Sequence, residues 1–164
     1  MAQRLLIDGY NLLFASDVFV AAGPPTLERT RQALLKHLAN HLDDRMRRRT
    51  TVVFDATQAP SGLPHELSAF AMQVLFSRKG QDADALLEDL IAAERAPRET
   101  LVVSSDHRVQ RAARQRGMKF ADSDQWLRSL IQETEKARPA SDEKPSRIEN
   151  PFPPGYGDDL LGGR

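Results

Sequence analysis

No cysteine occurs among the 164 residues, which excludes disulfides and thiolate-held metals. No apolar run approaches the roughly 20 residues needed to cross a bilayer. Only a short preamble precedes the first apolar stretch. Neither a membrane anchor nor a signal peptide is visible, so the expectation is a cytoplasmic protein with no membrane partner. Formal charge is balanced, with 23 Lys and Arg against 23 Asp and Glu. Net charge therefore selects no partner, and a case for nucleic acid must rest on local clusters. There is no P-loop, and neither of the first two strands runs into a Gly-x-Gly-x-x-Gly turn, so nucleotide-cradling loops are missing too.

Other chemistries are also missing. A haloacid-dehalogenase-type phosphatase wants a second aspartate two residues after Asp8, where this chain has Tyr10. His37, His41, His65 and His107 form no metal-binding pattern, and His37 with His41 reads as a plain exposed pair. Ser104 and Ser105 lack an obvious His-Asp partnership. No internal repeat is visible.

What is present begins with Leu5-Leu6-Ile7 running into Asp8-Gly9-Tyr10-Asn11. A continuous apolar run predicts a strand covered on both faces, as in a parallel sheet. Asp8 then stands at the strand's carboxyl end, where open parallel sheets bind ligands. Gly9 relieves a turn of steric restriction. Leu27, Leu34, Leu35, Leu38, Leu42 and Met46 mark one helix face after a Thr26 cap, with Arg45 and Arg47 to Arg49 ending the opposite face. Thr51 to Phe54 is a second strand ending at Asp55, and a short helix is expected over 64–70. Met72 to Ser77 is a third strand. Asp82 caps a helix to about Arg95, with Asp84 and Glu88 on one row. Thr100 to Ser104 is a fourth strand, reaching Asp106. Val109 to Arg116 is a helix closed by Gly117, Met118 to Ala121 a fifth strand, and Asp122 or Ser123 opens a last helix.

This alternation predicts an α/β three-layer domain over 1–138, with a mostly parallel central sheet of four or five strands and helices on both faces. Residues 139–164 hold five of the ten prolines and four of the nine glycines, and a disordered tail is expected there.

Three predicted strands end in aspartate, Asp8, Asp55 and Asp106, and Asp84 opens a helix on the same edge. Several carboxylates held close cannot all ionise without a counter-charge. A hard divalent cation such as Mg²⁺ meets that need with oxygen ligands, and retains waters for phosphoryl chemistry. Each acid also has an ordinary structural role open to it, as turn, cap or helix-dipole partner. The case for a metal rests on their recurrence at one edge.

Asp8-Gly-Tyr-Asn11, Val53-Phe54-Asp55-Ala56, Phe76-Ser77 before Gly80-Gln-Asp-Ala-Asp84, and Val103-Ser104-Ser105-Asp106 resemble, in that order, the YacP-like branch of the NYN domains, within the PIN-like nuclease group. The likeness covers roughly residues 4 to 135. It implies a Mg²⁺- or Mn²⁺-dependent endoribonuclease that cleaves single-stranded RNA by in-line attack of a metal-activated water. The YacP branch implies mRNA cleavage associated with the ribosome. By motif position, Asp8, Asp84 and Asp106 would be the catalytic, metal-binding acids, with Asn11, Asp55 and Ser105 in support. Asp122 and Asp124 are candidates for a further acid. Arg78, Lys79, Arg108 and Arg111 are expected to rim the acids and hold phosphates; Tyr10 is a candidate to stack on a base, but an aromatic beside a strand end is more often packing. The alternatives are a non-catalytic RNA- or ribosome-binding adaptor with the same fold, and a small-molecule phosphohydrolase.

Overall fold

The computed structural model describes residues 3–15, 27–56 and 65–137. The chain divides into two units, 1–131 and 132–164. Of the second, only 132–137 are described, and the expected tail over 139–164 lies outside the described residues, as does Thr26.

Strand β1 (Arg4–Asp8) leads without a loop into helix α1 (Gly9–Ala15). Then come α2 (Leu27–His41), α3 (Asp44–Arg47), β2 (Thr50–Phe54), β3 (Glu66–Ala69), β4 (Met72–Phe76), α4 (Ala83–Ala93), β5 (Thr100–Val103), α5 (His107–Gln115), β6 (Lys119–Ala121) and α6 (Ser123–Ala137). Among the described residues the sheet has six strands, in the order β3-β4-β2-β1-β5-β6. All neighbours are parallel except the β3–β4 hairpin. The three-layer α/β fold therefore stands, with one more strand than expected.

The apolar strands read as unbroken runs because alternate residues enter two separate cores. Leu5, Ile7, Val52, Phe54 and Val103 face one core, shared with Leu12, Leu34, Leu38 and Leu127 of the helices. Leu6, Val53 and Val102 face the other, under Leu87, Ile91, Val109 and Ala113. Each fully buried aliphatic side chain contributes about 1.5–3 kcal/mol, enough to fix strand register to a single residue. The chain turns from β2 on one side of β1 to β5 on the other. The order thus reverses between β1 and β5, which sets the crevice beyond their carboxyl ends.

Three local expectations fail. The helix over 64–70 is instead β3, whose residues pair with β4 from Glu66↔Leu75 to Ala69↔Met72; Pro64 lies outside the described residues. The stretch after Asp8 is helix, not turn: Gly9, Tyr10, Leu12 and Leu13 are buried, and tertiary packing overrides weak local propensity. The first long helix stops at His41, and Asp43 caps a separate turn by accepting from the Met46 amide at 2.7 Å. Arg45 and Arg47 belong to that turn, and Arg47 caps the helix before it through the Ala39 carbonyl at 3.2 Å.

Candidate active site at the carboxyl edge of the sheet

Asp8 ends β1 and is only 5 % exposed. Its Oδ2 accepts from the Ser104 hydroxyl at 2.9 Å. Burial lifts its carboxyl to about 6; the Asp84 and Asp106 carboxylates push the same way, while Ser104 and the Asn11 amide oppose. Burial also raises Asp84, again with Asp106 acting on it, and with Asp82 and Glu88 adding to the effect of Asp106 against Arg108. The fold therefore brings Asp8, Asp84 and Asp106 within electrostatic reach, from three different elements.

Gly9 follows Asp8 for a reason other than turn freedom. A Cβ there would lie 2.4 Å from the Phe54 ring and 2.8 Å from the Val53 carbonyl oxygen. The missing side chain lets α1 start directly against β2, which holds the Asp8–Asn11 segment close to the sheet.

Asn11 is a clamp. Its Oδ1 accepts from the Ser105 amide and from the Ser123 hydroxyl, both at 2.7 Å. It joins α1 to the end of β5 and the start of α6. Ser105 Oγ accepts from the Ser123 amide at 2.9 Å. Ser104 Oγ accepts from the Asp106 amide at 3.1 Å while its proton goes to Asp8. Gln110 Nε2 donates to the Ser104 carbonyl and to Asp122 Oδ1, both at 2.8 Å. Ser104, Gln110 and Ser123 are buried polar residues to which the sequence reading gave no place in the site. The only early signal was two serines just beyond a buried strand.

Asp106 caps α5, its Oδ1 accepting from the Arg108 and Val109 amides at 2.8 and 3.3 Å. Asp82 caps α4 through the Ala85 amide at 2.7 Å, as expected. Arg108 pairs with Glu88 and, at 3.3 Å, with Asp82. Glu88 is thus an ion-pair partner of Arg108. Arg78 and Lys79 are exposed in the loop between β4 and α4, and Arg111 is exposed on α5. Asp122 is held by Gln110, and Asp124 pairs with Arg128 at 3.0 Å on α6.

Asp55, at the end of β2, acts on Tyr10. Tyr10 is buried, edge-on to Phe54 with ring centroids 5.0 Å apart, and its hydroxyl accepts from Arg31 Nη1 at 3.0 Å. Tyr10 is thus a packing residue, not one presented to a base. His37 and His41 are not an exposed pair either: both are half-buried, with ring centroids 4.5 Å apart.

Among the described residues, no three His, Asp or Glu side chains form a ligand cluster. The donor set nevertheless fits a hard divalent cation in kind: three carboxylates from three elements, two of them raised in pKa partly by their neighbours. The Asp8 and Asp106 oxygens that accept from Ser104 and the α5 amides are oriented by those bonds, as supporting partners orient ligands in metal sites. No described helix is long and apolar enough to cross a membrane.

The family model described as YacP-like NYN domain matches residues 5–152. The structure resembles a crystal structure of Rae1 (YacP) from Bacillus subtilis at 26% sequence identity and a TM-score of 0.64, covering 82% of this chain and 76% of that one. A crystal structure of a mutant of the same protein matches at 25% identity and a TM-score of 0.59, with the same coverage. No curated protein matches the chain.

Proposed function

The chain belongs to the YacP-like NYN domain family, and on that premise we propose that it is a metal-dependent endoribonuclease acting on single-stranded RNA, including mRNA at the ribosome. Membership supports a nuclease-type, RNA-related function. The finer reading rests on one observation: Asp8, Asp84 and Asp106 converge at the switch-point edge, where burial and the neighbouring carboxylates raise the proton affinity of Asp8 and Asp84.

In this reading Asp8, Asp84 and Asp106 hold Mg²⁺ or Mn²⁺. When bound, the cation neutralises the carboxylates and supplies Lewis-acid and water-activating chemistry at a phosphodiester. Ser104 fixes the Asp8 carboxylate, and the α5 amides fix that of Asp106. Asn11 and Ser105 keep the ends of β1 and β5 together. Asp55 supports the β2 side. Arg78, Lys79 and Arg111 hold RNA phosphates at the rim, while Arg108 braces the first two turns of α4 through Asp82 and Glu88.

A second reading, the RNA- or ribosome-binding adaptor, draws support from the protein donors that already hold Asp8 and Asp106. The Asp84→Asn variant separates the two. RNA cleavage would be followed with Mg²⁺, Mn²⁺ or EDTA, beside phosphate monoesters as competing substrates. Lost cleavage with retained RNA binding supports the nuclease. Undiminished cleavage by a folded variant overturns it.

A further inference from the structure

At the opposite end of the sheet lies a cavity of about 360 Å³, lined by Arg4, Arg48, Arg49, Thr51, Gln73 and Glu94 among others. We propose that this cavity is a second anion site, holding a backbone phosphate of the same single-stranded RNA whose scissile bond lies at the carboxyl edge. The inference rests on the nuclease reading for the identity of the strand, and on the cavity for the site.

Three guanidiniums meet there against one carboxylate. Arg4 begins β1, and Arg48 and Arg49 form the turn before β2. Glu94 lies 3.6 Å from Arg4, but the same oxygen also accepts the Ala96 amide at 2.9 Å. Arg116 adds a fourth cation close by, donating to the Glu94 main-chain oxygen at 2.8 Å. Arg48 pairs with Asp44 at 3.0 Å, with both side chains mostly exposed. Exposed pairs of this kind contribute at most about 1 kcal/mol, so a phosphate can displace them. A guanidinium fork matches phosphate oxygens two at a time. Thr51 and Gln73 add neutral polar groups, hydrogen-bonded to each other at 3.1 Å with Gln73 donating on to Glu66, and Glu94 is the carboxylate in the lining.

The distance between the two ends suits one strand. Helix α4 has Asp84 in its first turn and Glu94 at its C-cap, a span of about 15 Å at 1.5 Å per residue. At about 3.4 Å per stacked nucleotide, that is some four nucleotides. Phe70 adds an aromatic at the same amino edge. It is 46 % exposed, on the β3–β4 turn, three residues before Gln73, and exposed aromatics beside basic grooves are stacking platforms.

The test measures binding apart from catalysis. The full chain carrying Asp84→Asn, in EDTA, is titrated with a labelled ten-nucleotide oligouridine at several salt concentrations. Adding Arg4→Gln and Arg49→Gln should weaken binding about tenfold and reduce the salt slope by about 0.7, the value for one lost phosphate contact on a single strand. Arg48→Gln alone, at an exposed position, should reduce the slope in the same direction by less than that. Unchanged affinity and slope in both variants overturn the proposal. So does protection of the unsubstituted chain by inorganic phosphate without any change in oligouridine binding, which would mark a small-anion site. A chain that cleaves RNA yet shows no such change keeps the nuclease reading and loses this site. One that binds through these arginines but never cleaves does the reverse.

Discussion

At the carboxyl ends of the strands stand Asp8, Asp84 and Asp106; at the amino ends stand Arg4, Arg48 and Arg49. The two ends differ in construction as much as in charge. The acidic end is tied by side-chain bonds spanning 94 to 112 residues of sequence, from Ser104 to Asp8 and from Ser105 and Ser123 to Asn11. The basic end uses the Arg4–Glu94 pair at 3.6 Å and the exposed Arg48–Asp44 pair, only four residues apart. A site that must hold like charges together in poor solvation needs a rigid frame, because the charged forms of Asp8 and Asp84 are disfavoured there. Groups that only attract a mobile polyanion need no such frame. The acidic end should therefore respond sharply to single substitutions, and the basic end mildly.

The largest effect expected is on catalysis. Asp8→Asn should reduce RNA cleavage by about 10³-fold or more, some 4 kcal/mol of transition-state stabilisation, measured as kcat/KM with Mg²⁺ present. A loss below tenfold would break the contrast between the two ends.

The next effect is on stability, and its sign depends on pH. Asp8 has a folded-state value of about 6, raised from 3.8. A carboxyl raised on folding stabilises the protein below its unfolded value, and that contribution is lost as pH rises through the folded value. Without metal, unfolding free energy should therefore fall by about 2 kcal/mol between pH 4 and pH 7 on account of Asp8. Asp8→Asn should lack that fall, so the variant is the more stable of the two at pH 7 and not at pH 4. Urea melts of both proteins at each pH check this. Added Mg²⁺ should restore the unsubstituted protein alone, through selective binding to the folded state.

Third, Gly9→Ala should destabilise the fold by about 2 kcal/mol, in the range for overpacking. The new Cβ meets both the Phe54 ring and the Val53 carbonyl oxygen. Gly117→Ala makes the control: nothing lies within 4 Å of its Cβ, and its strain comes only from φ +75. That strain is about 1 kcal/mol. Equal losses in the two melts would remove close packing as the reason for glycine after Asp8.

The acidic end was the more legible of the two in the sequence, for a physical reason. Leu5 to Ile7 and Thr100 to Val103 are apolar without interruption because both sheet faces are covered, and such runs mark where a strand stops. The aspartates just beyond them could be read as one edge once the order of elements was known. Asp82 was readable as a cap because capping is local. What could not be read is what depends on distant partners. Helix α1 contains Gly9 and Asn11, weak helix formers, and is held by burial of Tyr10, Leu12 and Leu13. Strand β3 has little strand propensity of its own and exists by pairing with β4. Ser104 and Ser123 carry no signature until the fold places them beside Asp8 and Asn11. The pairing of Arg108 with Glu88 across two helices is likewise invisible to spacing rules.

The smallest effect expected lies at the amino edge, in the β3–β4 turn. Phe70 and Ala71 take φ values of 53 and 68, a left-handed pair that two-residue hairpins fill with Asn and Gly. For residues carrying a Cβ, such a conformation costs roughly 1–2 kcal/mol each. Ala71→Gly relieves one of them, offset by the greater freedom of glycine in the unfolded chain, so the net gain should be about 0.5–1 kcal/mol. A melt that shows this gain, together with unaltered RNA cleavage, fits an amino edge that tolerates change without disturbing the acids. A stabilised variant that also lost cleavage would mean that the turn is mechanically coupled to Asp8 through β4 and β2, and the two ends would then have to be treated as one site.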